Sequence, residues 1–156
     1  MTKTNAMRQL DKAKIHYETL TYEVDESDLS GMHIVSQINI PAPQVFKTLV
    51  ARGDKKGPCV FCIPVDQEVD LKKAAVVAGE KRVELIAVKE LLGLTGYIRG
   101  GCSPIGMKKK FPTYIEESAL NFDAITVSAG VRGCQLLLNP KELIDFVGAI
   151  PCHITV

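Results

Sequence analysis

The sequence predicts a mixed α/β domain of the α+β type, with hairpins and short helices in place of a regular βαβ alternation. Three observations carry that expectation. The chain has 156 residues, 46% hydrophobic and 24% charged, which is the size and balance of one ordinary domain with a real core. Short runs rich in β-branched and aromatic residues alternate with short stretches of helical period. Turn chemistry separates them, as in Arg52-Gly53-Asp54-Lys55-Lys56-Gly57 and Ala129-Gly130-Val131-Arg132-Gly133. One domain spanning 1–156 is expected, with no repeat, low-complexity segment or linker.

Residues 5–14 read as a helix, with Met7, Leu10 and Ala13 at helical spacing. Residues 15–24 read as a strand on which Leu20, Tyr22 and Val24 share a face. Tyr22 is then either a core tyrosine or an amphipathic pocket wall. Ser27 or Asp28 is the candidate cap of a helix over 32–38, which Pro41 and Pro43 end. Residues 44–51 and 58–65 form a hairpin. In its first strand Val45, Lys47 and Leu49 share one face, and Phe46, Thr48 and Val50 the other. A lysine inside so apolar a strand is unusual. Periodicity leaves it two places: snorkelling at a sheet edge, or pointing into a polar cavity.

Residues 71–78 are helical, with Gly79 as the stop. A short strand over 82–86 and a helix over 88–92, closed by Gly93, follow. Strands are expected at 113–115 and 124–128, and 135–138 returns antiparallel to the latter. Asn139 caps a helix over 140–146, with Pro140 at its first position and Gly148 at its end.

Net charge is +1, so there is no global nucleic-acid signature, and any RNA contact must come from a local patch. No apolar run approaches the ~18 residues of a membrane span. Residues 1–10 are polar and lack the apolar centre of a signal peptide, so a cytoplasmic location is expected. The five cysteines are odd in number, which favours free thiols. Cys59-Val60-Phe61-Cys62 formally reads C-x-x-C, but on a strand positions i and i+3 face opposite sides and cannot chelate one metal. His16, His33 and His153 show no ligand spacing. No metal and no cofactor are expected.

The stretch from Thr95 to Lys110 mixes backbone-special residues with charge. Gly96, Gly100, Gly101 and Gly106 surround Cys102, Ser103 and Pro104, and Lys108, Lys109 and Lys110 follow. As a plain segment it is a connecting loop with a solvated lysine run. As a functional one it is a backbone-lined pocket floor beside an anion-attracting rim.

Four segments together resemble the YbaK family of bacterial editing domains, which is similar to the editing insertion of prolyl-tRNA synthetase. They are Val45-Phe46-Lys47-Thr48-Leu49-Val50, Leu71-Lys72-Lys73-Ala74-Ala75, the T-G-Y-x-x-G-G-x-S-P-x-G-x-K-K run from Thr95 to Lys109, and Thr126-Val127-Ser128-Ala129-Gly130-Val131-Arg132-Gly133. The resemblance spans nearly the whole chain. It implies a strongly curved, barrel-like mixed sheet with helices around it. It implies cleavage of mischarged Cys-tRNA(Pro), with prolyl-tRNA synthetase as a partner.

The resemblance also implies roles. Lys47 matches the pocket lysine that holds the substrate's 3′ end. Tyr22, Thr48, Gly100, Gly101 and Ser128 match substrate-binding positions, and Gln135 joins them where some members carry an aspartate. Lys108, Lys109 and Arg132 are placed for a tRNA phosphate backbone. This chain departs from the family at Ala129 for a glycine, Val131 for a lysine, and Ser30 for a frequent aromatic. Gln135 has no charge with which to act as a base.

An aminoacyl-tRNA is an activated ester, so its cleavage needs positioning more than a strong base. No Ser-His-Asp or Cys-His pattern accompanies the glycines, and Cys102 has no histidine nearby in sequence. The resemblance implies attack by the substrate's own cysteinyl thiol, with backbone N–H groups around Gly100 and Gly101 stabilising the developing charge. Two other functions stay open: editing of another small residue such as alanine on tRNA(Pro), and a non-catalytic module that binds tRNA or a synthetase.

Overall fold

The computed structural model describes residues 2–156; Met1, the first residue of the expected 1–156 domain, lies outside them. In chain order the elements are α1 (Asn5–Lys12), β1 (Tyr17–Thr21), α2 (Gly31–Ile38), β2 (Phe46–Gly53), β3 (Gly57–Pro64), α3 (Leu71–Ala78), β4 (Val83–Leu85), α4 (Val88–Thr95), β5 (Thr113–Glu116), β6 (Ile125–Ser128), β7 (Cys134–Leu138), α5 (Pro140–Val147) and β8 (Ile150–Cys152). Short 3-10 turns occupy Ala42–Gln44 and Glu117–Asn121.

The strands form a mixed β structure wrapped by helices, as expected, divided into two sheets. One has the order β1-β7-β6 and the other β4-β2-β3-β5-β8. The smaller sheet is antiparallel, while β3-β5 and β5-β8 run parallel. Among the described residues one parallel bridge, Val45 to Thr126, joins the sheets, and they do not close into a barrel. The predicted hairpin is β2-β3, paired from Phe46–Pro64 to Gly53–Gly57.

Strand alternation sorts the core. Phe46, Val50, Val60 and Cys62 enter the larger apolar cluster, with Ile125, Val127 and Leu136 from the other sheet. Ala51, Cys59, Phe61 and Ile63 point the other way, under Ala74, Ala75 and Ala78 of α3. The two thiols of the C-x-x-C run therefore sit in different clusters, as the period of a strand demands.

Four local expectations shift. The strand expected over 15–24 ends at Thr21, although Tyr22 N–H still donates to Gly133 O at 2.9 Å. Ser30, not Ser27 or Asp28, caps α2 by accepting from His33 N–H at 3.4 Å. Asp25 and Asp28 instead accept from Ser27 N–H and Ser30 N–H and shape the turn before it. Helix α4 runs through Gly93 to Thr95, and Gly96 is the residue that turns left-handed and stops it. Strand β8 was not foreseen, because two of its three residues are exposed and one is Pro151.

Glu116, at the end of β5, is 3% exposed and fastens the C-terminal segment. Its Oε1 accepts from Ile154 N–H at 2.8 Å, Thr155 N–H at 3.0 Å and the Thr155 hydroxyl at 3.0 Å. His153 Nδ1 lies 3.2 Å from Oε2, and Lys73 Nζ donates to Thr155 O at 2.9 Å. Burial pushes the Glu116 carboxyl up, but the Ile154, His153 and Thr155 donors together outweigh it and hold it below its ordinary value.

Candidate active site

The main cavity lies where the two sheets meet, along one edge of β2, with a volume of about 580 Å³. That is within the ~300–1,000 Å³ of small-molecule sites. β4 pairs with β2 at Ala51–Gly53, and an isolated bridge links Val45 to Thr126, so among the described residues, 46–49 have no strand partner on this edge. Ile86 N–H donates to Val50 O on the same side at 3.1 Å. Backbone groups two residues apart on a strand point to the same edge, so the N–H and C=O of Thr48 face the cavity that Thr48 lines. Because the edge is open, side chains from both faces of β2 reach it.

Lys47 is half-buried, stands on this open edge and lines the cavity, so it meets both descriptions that periodicity left open. Among the described residues its ammonium has no ion-pair partner within 4.0 Å. Burial lowers its pKa, opposed in part by the fields of Glu68 and Asp66. Arg99 is the other cation on the cavity wall. No carboxylate and no histidine is among the residues lining the cavity. Leu29, Met32, Ile34, Leu85, Val88 and Leu91 supply much of the apolar wall.

The Gly-rich stretch is built into the core rather than left as a surface loop. Thr95, Ser103 and Ile105 are buried, Tyr97 O–H donates to Ile105 O, and Lys108 N–H donates to Thr95 O at 2.9 Å. Gly100 lines the cavity with φ +86°, a conformation that favours glycine. Gly101 does not line it. A Cβ on Gly101 would come within 3.1–3.2 Å of the backbone of Val131 and Arg132, so the residue lets two loops pack main chain to main chain. Its N–H donates to Ile98 O at 2.9 Å, so of the N–H groups expected around Gly100 and Gly101 this one is engaged within the protein. Arg132 Nε donates to Arg99 O at 2.8 Å and ties the same two loops together.

Of the residues singled out in the sequence, Lys47, Thr48, Gly100, Ser128 and Gln135 line one cavity. Tyr22 and Arg132 line a much smaller neighbouring hollow with Asp25, Asp28 and His33. Lys108 is exposed beside Gly96, while Lys109 lies in a separate hollow with Lys110, Phe111 and Phe146. Cys102 does line the cavity, but burial pushes its thiol up to about 12, so it is protonated and a poor nucleophile near neutral pH. Among the described residues the grouping with metal-ligand chemistry is Glu116, Glu117 and His153. None of these lines the cavity, and the Glu116 carboxylate is already taken up by its donors.

The cavity wall thus carries two cationic side chains, Lys47 and Arg99, beside the neutral polar side chains of Thr48, Ser128 and Gln135. The chain belongs to the aminoacyl-tRNA editing domain family, which residues 33–146 match. It is 46% identical over 153 residues to an Enterococcus faecalis protein, EbsC, named as a Cys-tRNA(Pro)/Cys-tRNA(Cys) deacylase; the match covers 98% of this chain and 93% of that one. A crystal structure described as a trans-editing enzyme for prolyl tRNA synthetase superposes with a TM-score of 0.82 at 22% identity, covering 99% of both chains. The crystal structure of a hypothetical protein superposes at 0.86 with 19% identity, covering 96% of this chain and 97% of the other. At these identities the two structures establish the fold. No helix among the described residues is long and apolar enough to cross a membrane.

Proposed function

We propose that this chain, acting as one domain over 1–156 in the cytoplasm, is an aminoacyl-tRNA deacylase that cleaves Cys-tRNA(Pro). The observation that carries this reading is a cavity holding Lys47 and Arg99 but no carboxylate, histidine or ionised thiol. Such a site suits a substrate that brings its own reactivity. The relative named as a Cys-tRNA deacylase, similar over nearly its whole length, supports the same substrate.

Lys47 anchors the phosphate and ribose of the terminal nucleotide and holds the aminoacyl group over the floor. Thr48 and Gly100 border it. Held there, the substrate's thiol sulfur attacks its own ester carbonyl. The S–C bond forms as the C–O bond to the ribose breaks, and the thiol proton ends on the released ribose hydroxyl. Water then opens the thiolactone to free cysteine. Alanine and proline carry no thiol and do not react, a stronger filter than size, since one methylene is worth only ~1–3 kcal/mol. Lys108, Lys109 and Arg132 supply exposed or half-buried cations for the tRNA backbone. The net charge of +1 makes intrinsic tRNA affinity weak, which favours action beside prolyl-tRNA synthetase.

The test is one panel of cysteinyl-, alanyl- and prolyl-tRNA(Pro), with and without protein. Release of cysteine alone is the expected result. Release of alanine instead reassigns the substrate, and tRNA binding without cleavage makes the chain a binding module. Cys102→Ala retains most activity in the same assay. A loss beyond about a hundredfold, the scale of a lost catalytic group, returns Cys102 to the chemistry.

A further inference from the structure

Arg99 falls on an x of the T-G-Y-x-x-G-G run, so the resemblance gives it no role. In the structure it is one of the two cations on the cavity wall. Lys47 is half-buried and Arg99 is exposed, which makes Lys47 the deeper of the two. Among the described residues no carboxylate lies within 4.0 Å of the Arg99 guanidinium, whereas Arg52 and Arg82 each pair with a glutamate. On the same cavity wall Met32, Leu85 and Val88 are 50%, 48% and 61% exposed. A free guanidinium beside uncovered apolar surface suits a ligand with flat apolar faces joined by anionic links, as in a nucleotide chain.

The backbone that carries Arg99 is fixed twice. Gly101 N–H donates to Ile98 O at 2.9 Å and closes a turn with Arg99 and Gly100 at its centre. The Arg132 side chain crosses that turn, because a Cβ on Gly100 would stand 3.3 Å from Arg132 Nε. The same Nε donates to Arg99 O at 2.8 Å. Asp25 and Asp28 share the small hollow that Arg132 lines, while no carboxylate lines the cavity of Arg99. An anion at the mouth of the cavity is therefore drawn to Arg99 ahead of Arg132.

We propose that the Arg99 guanidinium binds the second phosphodiester from the 3′ end of the acceptor strand, with Arg132 as the positioning residue that fixes the turn beneath it. This rests on the deacylase reading. A strand entering by its 3′ end brings its terminal phosphate to the deeper cation, Lys47, and the next one to the outer cation. Arg99 then contributes grip on the strand and no chemistry. It holds ground state and transition state alike, so it acts on half-saturation and not on the saturated rate.

The experiment compares cysteinyl esters of two RNA fragments in single-turnover cleavage. CpA carries only the terminal phosphodiester, and CpCpA carries the next one as well. Arg99→Gln is expected to raise half-saturation for CpCpA about tenfold, the lower end for a hydrogen bond to a charged group, and to leave CpA and both saturated rates unchanged. Its salt slope on CpCpA falls by about 0.7, the share of one single-strand phosphate. Arg132→Met, checked for folding by circular dichroism, gives the same loss on CpCpA alone, and the double variant loses no more than either single one. If Arg132→Met does not fold, Arg132→Lys takes its place in that cycle. Additive losses give Arg132 a contact of its own and overturn its positioning role. Equal half-saturation for wild type and Arg99→Gln on CpCpA, or equal losses on both fragments, overturn the phosphate assignment. Titration of the uncharged fragments, followed by NMR, repeats the comparison without cleavage. A wild type that cleaves neither ester but binds CpCpA through Arg99 refutes the deacylase reading and keeps this one. Binding of CpCpA that ignores Arg99, or binding of neither fragment, refutes this one whatever is cleaved.

Discussion

Lys47→Ala is expected to abolish release of cysteine from Cys-tRNA(Pro) while leaving the fold intact. Positioning an activated ester accounts for up to roughly 7–11 kcal/mol of barrier reduction in well-oriented systems, so losing the anchor can remove most of the acceleration. The ammonium is half-buried with no ion-pair partner among the described residues, which is a liability for stability and an asset for binding an anion. The variant should therefore unfold at the same temperature as wild type or slightly above it. Its folded pKa lies below the ordinary 10.5 because burial disfavours the charged form, so the folded state releases that proton first. Wild type should accordingly gain stability relative to the variant as pH rises towards 10.5. Wild-type turnover by Lys47→Ala, read as loss of labelled cysteine, refutes the anchor.

Glu116→Ala is expected to do the opposite, damaging the fold more than the chemistry. It leaves the buried N–H groups of Ile154 and Thr155 without an acceptor, each costing about 1–3 kcal/mol. For a chain of this size each kcal/mol moves the melting temperature by about 2–4 °C, so a fall on the order of 10 °C follows. The acid side of the stability curve carries the same signature. The folded carboxyl sits below its ordinary 4.5, so its contribution is complete above that pH and is lost as pH falls through the lower folded value. Thermal melts of wild type and variant across roughly pH 3–7, a range that spans ordinary carboxylate titration, should converge at the acid end. Parallel curves would show that the carboxylate does not carry this linkage.

The contrast between these two residues tracks what a sequence reveals. Lys47 is conspicuous because one charge interrupts an apolar alternation. Glu116 is not, since a glutamate after Thr113-Tyr114-Ile115 reads as a polar strand end, and its donors lie 38 and 39 residues away. The hairpin and α3 are legible from turn chemistry and from Gly79. The apolar cavity walls, such as Leu29 and Leu85, are not, because wall and core residues have the same composition. Thr126 reads as an ordinary β-branched strand residue, and only its bond to Gln135 distinguishes it. The lysine run looks continuous with the pocket motif in sequence. The chain dives through buried Ser103, Pro104 and Ile105 between them, and Lys109 emerges beside a different hollow.

The open edge of β2 carries a risk as well as a use. Unpaired strand edges are templates onto which foreign chains add, the first step of aggregation. Here the exposed template is short, about residues 46–49, and is recessed in a cavity walled by α2 and the Arg99–Cys102 loop. A cationic side chain stands on it, a common guard against strand addition. The same lysine that marks the site for its ligand thus also keeps the sheet from growing.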